Sequence, residues 1–407
     1  MSLANTPNSY GALSKGFHWL SALLILTTIP LGIVANDLAQ QIRDPAIATT
    51  DADAARAALF FSIHKTLGVS IFCVALARIL WALTQPRPGL LNGDRTAEAR
   101  IAETVHWLLY GSLVAVPLSG WVSHAATTGF APIWWPFGQS LPFVPKDETV
   151  AQTAASLHYL LQWVLVGALA LHIAGALKHH FIDADATLRR MLPGHNRAIP
   201  SRAQPGHALP VLGALAVWAG VLGGAGALGW LAPEGAARRT TALAAVEGDW
   251  RVEDGTLTIT ILQLGAQVTG DFADWTAEIA YSETPGPHGK HGGVSVIVAI
   301  PSLSLGSVTD QAMGPGFFDA QTHPTASFEA DILATEGGHL ARGTLTIKGK
   351  TVPVEMPFTL SLQGDRAQAQ GRLGIDRRDF GIGLDTMNEA TLGFGVEISF
   401  QLAATRS

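Results

Sequence analysis

Four histidines stand at the ends of apolar runs long enough to cross a bilayer: His18, His64, His158 and His172. An ionisable group at membrane depth is costly, so each of them needs a partner. His158 and His172 lie 14 residues apart in one run. That is close to four helical turns, so both project from one face, about 21 Å apart along the axis. Neutral imidazole suits porphyrin iron as an axial ligand, and two on one iron leave no open position for dioxygen.

The elements that must carry these groups follow from hydropathy. A helical span takes about 20 apolar residues, and five segments qualify: about 17–36, 63–83, 103–124, 157–177 and 209–231. Pro30 and Pro117 fall inside spans, which membrane helices tolerate. Trp19, Trp81, Trp107, Trp121, Trp134 and Trp135 fall near span ends, as interfacial aromatics do. The first and fourth spans run in opposite directions, which puts His18 and His172 at the same depth. The second and fourth run the same way, which puts His64 and His158 together near the other side. Two bis-histidine sites stacked across one bilayer result. Arg78, 14 residues after His64, reaches the depth of the first pair and is placed for a haem propionate.

A blander reading stands beside this one. A lone histidine near a span end is usually interfacial, bonded to water or backbone. Four that pair by depth are harder to explain that way. His106 and His124 find no partner by this argument. A non-ligand role is favoured for His106, with substitute ligand, proton carrier or quinone contact as its alternatives. His124 and the His179–His180 pair read as interfacial, the latter within reach of a propionate.

Charge divides the chain. Before residue 240 there are 16 Lys/Arg and 12 Asp/Glu; from Thr240 onward there are 10 and 20. Loop Lys/Arg favour the side holding the N-terminus by ten to six, although the Arg238–Arg239 pair opposes this. An N-terminus in the cytoplasm, with residues from 240 onward in the periplasm, is therefore expected. The single cysteine, Cys73, excludes a C-x-x-C-H attachment, so any haem is held without covalent bonds.

Beyond Trp250 the pattern changes to strict alternation. Leu345 and Ile347, then Val352, Val354, Met356, Phe358, Leu360 and Leu362, occupy every second position around a turn at Lys348–Gly349–Lys350. Leu257, Ile259 and Ile261, then Val294, Val296 and Val298, then Val396, Ile398 and Phe400 do the same. Many one-sided strands favour an up-and-down barrel. A barrel of about eight strands is able to hold one small ligand, although such stripes more often fill a packed core. The segment PGPHGKHGG, with His288 and His291, reads as a surface loop and a weak metal site at most.

Residues 10–195 resemble the bacterial cytochrome b561 family. FHWL opens the first span, HKTLG the second, and ARILW carries the arginine. LHYLLQW begins the fourth span and LHIAGALKHHFIDADATLRRMLPG closes it. The resemblance implies a membrane all-α four-helix bundle with two non-covalent b haems, exchanging electrons with a quinone. The family's ligands match His18, His64, His158 and His172 one for one. Residues 208–232 add a fifth transmembrane helix and the start of a linker. From 246 to 407, blocks such as WRVEDGTLTITILQLGAQVTGDFADW, GTLTIKGKTVPV and IDRRDFGIG resemble the YceI-like polyisoprenoid-binding family. That implies an all-β lipocalin-like barrel with an isoprenoid, either a quinone tail or a prenyl phosphate, in an apolar channel. Phe272, Trp275, Phe317, Phe318, Phe328, Arg377 and Phe380 match the family's blocks and are its candidate ligand contacts.

The expected function is electron transfer to or from a membrane quinone in the bacterial inner membrane, with an isoprenoid- or quinone-binding periplasmic barrel. Superoxide:quinone oxidoreduction is a sub-case. A lipid-binding or transport protein with the membrane part as anchor is one rival. A cytochrome subunit for a separate dehydrogenase, with a protein redox partner, is another. Nucleic acid is not an expected partner.

Overall fold

The computed structural model describes residues 2–43, 50–127, 131–194, 198–231, 243, 248–335 and 337–406. The Arg238–Arg239 pair, Arg197 and most of the linker lie outside them. The chain divides into two compact units, one chiefly of helices and one chiefly of strands.

Five helices form the first: α1 (Ala12–Arg43), α2 (Asp51–Leu83), α3 (Thr96–Ala126), α4 (Glu148–Phe181) and α5 (Ala208–Ala227). All five are long and apolar enough to cross a membrane. Leu23 (65% exposed), Ile33 (66%) and Leu80 (65%) turn outward, an apolar exterior that water would not stabilise but lipid does. The chain is a multi-pass membrane protein. Helices α1 to α4 overrun the expected spans by a turn or more, because their polar ends keep good helix formers such as Ala and Gln. By contrast α5 stops at Ala227, short of the expected 231, where Gly229 takes φ +74° in a glycine-dependent helix end. Helix α5 packs on α3: Trp218 lies against Gly111, whose missing side chain gives it room. His207, just before α5, pairs with Glu103 of α3.

The second unit is a closed antiparallel barrel. Its strands are β1 (Trp250–Gln263), β2 (Ala266–Phe272), β3 (Trp275–Tyr281), β4 (Lys290–Ala299), β5 (Leu303–Ser304), β6 (Thr325–Thr335), β7 (Gly338–Ile347), β8 (Lys350–Gln363), β9 (Arg366–Asp376) and β10 (Leu392–Arg406). Eight of them make the ring β1-β3-β4-β6-β7-β8-β9-β10, which β10 closes by pairing with β1. Strands β2 and β5 fold over from the far half of β1. Closure removes the exposed edges that an open sheet of this length would carry. The expected β7–β8 hairpin turns on Lys348 and Gly349, both at positive φ, and pairs Ile347 with Lys350. The loop expected around His288 ends sooner than its glycines suggest. It turns at Pro287–Gly289, and Lys290 and His291 already belong to β4, where flanking strands supply partners.

The barrel is packed over part of its length. One inner cluster holds Phe272, Phe328, Phe380, Ile259 and their neighbours, and a smaller one holds Trp250, Ala367 and Ala404. Along β8 the inward residues are partly buried while alternate ones face water, and Val352, Val354, Met356 and Phe358 pack against the first of these clusters.

Candidate metal centres of the bundle and the lumen of the barrel

The structure brings the four span-end histidines into two pairs. His18 of α1 faces His172 of α4 with ring centroids 6.0 Å apart. His64 of α2 faces His158 of α4 at 6.2 Å. Two imidazoles holding one metal from opposite sides, each with a bond of about 2 Å, stand about 6 Å apart by their centroids. Both pairs fit that separation.

The second pair is held by backbone. His64 Nδ1 lies 3.0 Å from the Thr28 carbonyl oxygen, and His158 Nδ1 lies 2.8 Å from that of Val116. A carbonyl only accepts, so in each case Nδ1 carries the proton and donates it. Each Nε2 is left with its lone pair free for a metal. The same construction serves both. Thr28-Ile29-Pro30-Leu31-Gly32 and Val116-Pro117-Leu118-Ser119-Gly120 each present a carbonyl and, one turn later, a glycine under the ring. A Cβ on Gly32 would stand 2.6 Å from His64 Cε1, and one on Gly120 would stand 2.9 Å from His158 Nδ1. Neither glycine was singled out by hydropathy, although its spacing after a proline is visible in the sequence.

The first pair is furnished differently. His106 of α3 lies 5.0 Å from His172, a third imidazole that depth matching alone did not assign to this place. Trp19 contacts His18 edge-on at 5.3 Å. The Arg78 guanidinium lies over the Tyr110 ring, 5.1 Å from its centroid, within electrostatic reach of His18, His106 and His172. It makes no ion pair among the described residues, so its charge is available to a carboxylate. His124 accepts no such role. Its ring lies between Lys65 Nζ (3.3 Å) and Gln139 Nε2 (2.9 Å).

His179, read as interfacial, is a buried member of an ion network. It meets Glu98, Asp183 and Asp185 at 3.2, 3.2 and 2.6 Å, and Lys178 bonds Glu98 and Asp183 at 2.8 Å each. The lysine and Arg95 already neutralise this cluster, which ties the end of α4 to the start of α3. Salt bridges to Lys178 and Arg95 hold the Asp183 carboxyl below its usual range.

In the barrel, Phe272, Phe328 and Phe380 lie buried in the inner cluster, with Trp275, Phe317 and Phe318 packed against it. Arg377 is 2% exposed. It donates to the carbonyls of Gly393, Ile382, Gly383 and Leu392 at 2.5 to 3.1 Å, and to that of Thr386. The guanidinium thus closes the loop between β9 and β10. Lysine has one donor centre against this fan, so Arg377→Lys strands several buried carbonyls, each costing about 1–3 kcal/mol. We expect it to lower barrel stability by about 3 kcal/mol or more, read as an earlier loss of β-sheet dichroism on heating. An unchanged melt would refute that role.

Comparison with known proteins places both parts. The family described as prokaryotic cytochrome b561 matches residues 9–194, and the YceI-like domain matches residues 250–404. Cytochrome b561 homolog 2 of Escherichia coli (strain K12) is 33% identical over 193 residues, 47% of this chain and 95% of its own. The probable superoxide oxidase CybB of Yersinia pestis is 27% identical over 185 residues, 45% of this chain and 96% of its own. Among solved structures, BcnA of Burkholderia cenocepacia is 29% identical, covering 37% of this chain and 96% of its own, with a TM-score of 0.35. With its paired span-end histidines and its closed C-terminal barrel, the chain belongs to the prokaryotic cytochrome b561 family, followed by a YceI-like domain.

Proposed function

We propose that this protein is a two-haem membrane electron carrier that exchanges electrons with a quinone, and that its barrel binds an isoprenoid lipid. The observation that carries the first half is the pairing of four histidines into two centres at 6.0 and 6.2 Å. His18 and His172 would hold one haem b, and His64 and His158 the other. Each haem supplies one-electron redox chemistry. The protein does the rest. Nδ1 donation to the Thr28 and Val116 carbonyls sets the tautomer of the second pair, and Arg78 would neutralise a haem carboxylate at the first. His158 and His172, on one helix, fix the distance between the centres.

The excess of loop Lys/Arg on the N-terminal side supports a cytoplasmic N-terminus and a periplasmic barrel. The closed barrel and the YceI-like match over residues 250–404 support lipid binding. The name of the Yersinia pestis relative, a probable superoxide oxidase, supports superoxide as an electron donor.

The test is purification from native membranes, with reduced-minus-oxidised spectra and haem quantification. Two b haems per chain are expected, reducible by a quinol or by superoxide. A preparation without b-type absorption refutes the proposal.

A further inference from the structure

Three rings meet at the end of the barrel where β1 begins. Tyr281 ends β3, His291 lies at the start of β4 and His339 at the start of β7. His291 owes its place to a β-bulge. Lys290 pairs with Leu333 and Gly292 with Ile332, so His291 is the extra residue that the bulge re-aims. Gly292 makes this possible: it takes φ +148°, and a Cβ there would collide with the Ala280 carbonyl. Tyr281 packs against the inner cluster around Trp250 and stacks on His291 at 5.8 Å. His339 stacks on Phe358, with ring centroids 5.3 Å apart.

The two imidazoles repeat the geometry of the pairs in the bundle. Their centroids stand 6.0 Å apart and their planes cross at 81°, against 6.2 Å and 87° for His64 and His158. They share no hydrogen bond. His339 Nε2 is bound to the Tyr281 hydroxyl at 3.0 Å, while its Nδ1 is buried and bonds nothing. A buried ring nitrogen left unpaired is costly, and native structures contain few. His291 Nδ1 lies 2.9 Å from the Ser282 carbonyl oxygen, which only accepts, so Nδ1 donates and Nε2 keeps its lone pair. Each ring thus has one nitrogen fixed from outside and one left over, as a metal-binding histidine does.

The protonation states suit a metal. Burial and the neighbouring His291 hold His339 below the ordinary histidine range, so its ring is neutral near pH 7. Burial holds the Tyr281 phenol above its usual range, so it stays a hydroxyl, whose oxygen accepts from Nε2–H and leaves Nδ1 its lone pair. The charged groups nearby are engaged elsewhere. Lys290 pairs with Asp331 at 2.5 Å, and Glu283 lies 3.9 Å from Arg406. Neutral imidazole ligands without thiolate or carboxylate favour a late first-row ion, copper ahead of zinc.

We propose that His291 Nε2 and His339 Nδ1 bind one divalent late first-row metal ion, Cu(II) or Zn(II), with the Ser282 carbonyl and the Tyr281 hydroxyl orienting the two rings. The ion clasps β4 to β7 across β6, the strand between them. Two protein nitrogens leave its remaining positions to water. The site stands apart from the haem centres and from the lipid-binding reading of the barrel, and depends on neither.

The test uses the full chain in detergent, oxidised and with its haems in place, so that the bundle histidines are occupied. Cu(II) is titrated against glycine as a competitor and read by electron paramagnetic resonance, apart from the haem signals. One Cu(II) per chain is expected, with spin-echo modulation from two imidazoles, and Zn(II) should displace it. His291→Ala and His339→Phe, the latter keeping the stack on Phe358, should each lose one imidazole from the modulation and bind more than about tenfold weaker. Tyr281→Phe removes only the outer partner of His339, so it should keep both imidazoles and bind about tenfold weaker. His288→Ala, in the exposed turn before β4, is the control and should bind like the wild type. The β-sheet dichroism of each variant reports whether its barrel is folded. No saturable Cu(II) in the wild-type chain, which a bridging water between the rings would give, overturns the site. So does wild-type affinity in a folded His339→Phe or His291→Ala, or a loss in His288→Ala as large as in either.

Discussion

Replacing His158 with alanine is expected to halve the haem of the purified protein. His158 stands 6.2 Å from His64, and no third imidazole ring is in contact with that pair among the described residues. Removing it leaves His64 as a lone ligand in a dry site, with no second imidazole to complete the coordination. The other pair, about 21 Å away along α4, keeps both of its histidines. Haem quantified against protein should fall from two to one per chain, and one component of a redox titration should vanish. His172→Ala should do less damage. His106 lies 5.0 Å from His172, close enough to take over the vacant position with a change of rotamer. Full haem content in His158→Ala, or loss of both haems from a folded chain, would remove the basis for the pairing.

The two histidine pairs were legible because depth is written in hydropathy and direction alternates with each span. Position along a helix is thus a coordinate across the membrane, and the 14-residue interval supplies the facing side. The strands were legible for a similar reason: a period of two marks the inward row of β8 wherever it stands. What escaped were contacts decided by helix packing. His106 sits at a depth close to that of His18, yet nothing in the sequence says which way α3 is rotated, so its place beside His172 emerges only in three dimensions. In sequence Gly32 and Gly120 are ordinary membrane glycines; the ring over each is a contact between helices. His291 was masked by its glycine-rich setting, which reads as loop although flanking strands recruit it. His339 follows two glycines at a strand end, where alternation is too short to give it a face. Arg377 and Phe380 came from resemblance alone. Their burial reflects a loop closure between distant carbonyls, which no local pattern encodes.

The glycines under the rings yield the second large effect. Gly120→Ala adds a Cβ 2.9 Å from His158 Nδ1 and 3.0 Å from Cε1. Real carbon contacts do not come that close, so the ring or the helix must move. The ring is not free to swing away, since its Nδ1 is bound to the Val116 carbonyl at 2.8 Å on the same helix as the glycine. Displacement therefore breaks the hydrogen bond that fixes the tautomer, and moves Nε2 off its line toward His64. Losing a partner of this kind weakens metal binding by about 10–100-fold. Haem should wash out of the His64–His158 site during purification, while the His18–His172 site stays loaded. Gly32→Ala should act on the same site from the other helix, since its Cβ would meet His64 at 2.6 Å. Gly167 and Gly175 on α4 are the controls. Nothing lies within 4 Å of a Cβ at either, and alanine there should leave haem content unchanged while favouring the helix by up to about 1 kcal/mol. Equal haem retention in Gly120→Ala and Gly167→Ala would mean that the ring tolerates the displacement. The backbone bond would then play no part in holding the ligand, and the parallel build of the Thr28–Gly32 and Val116–Gly120 segments would reflect helix packing alone.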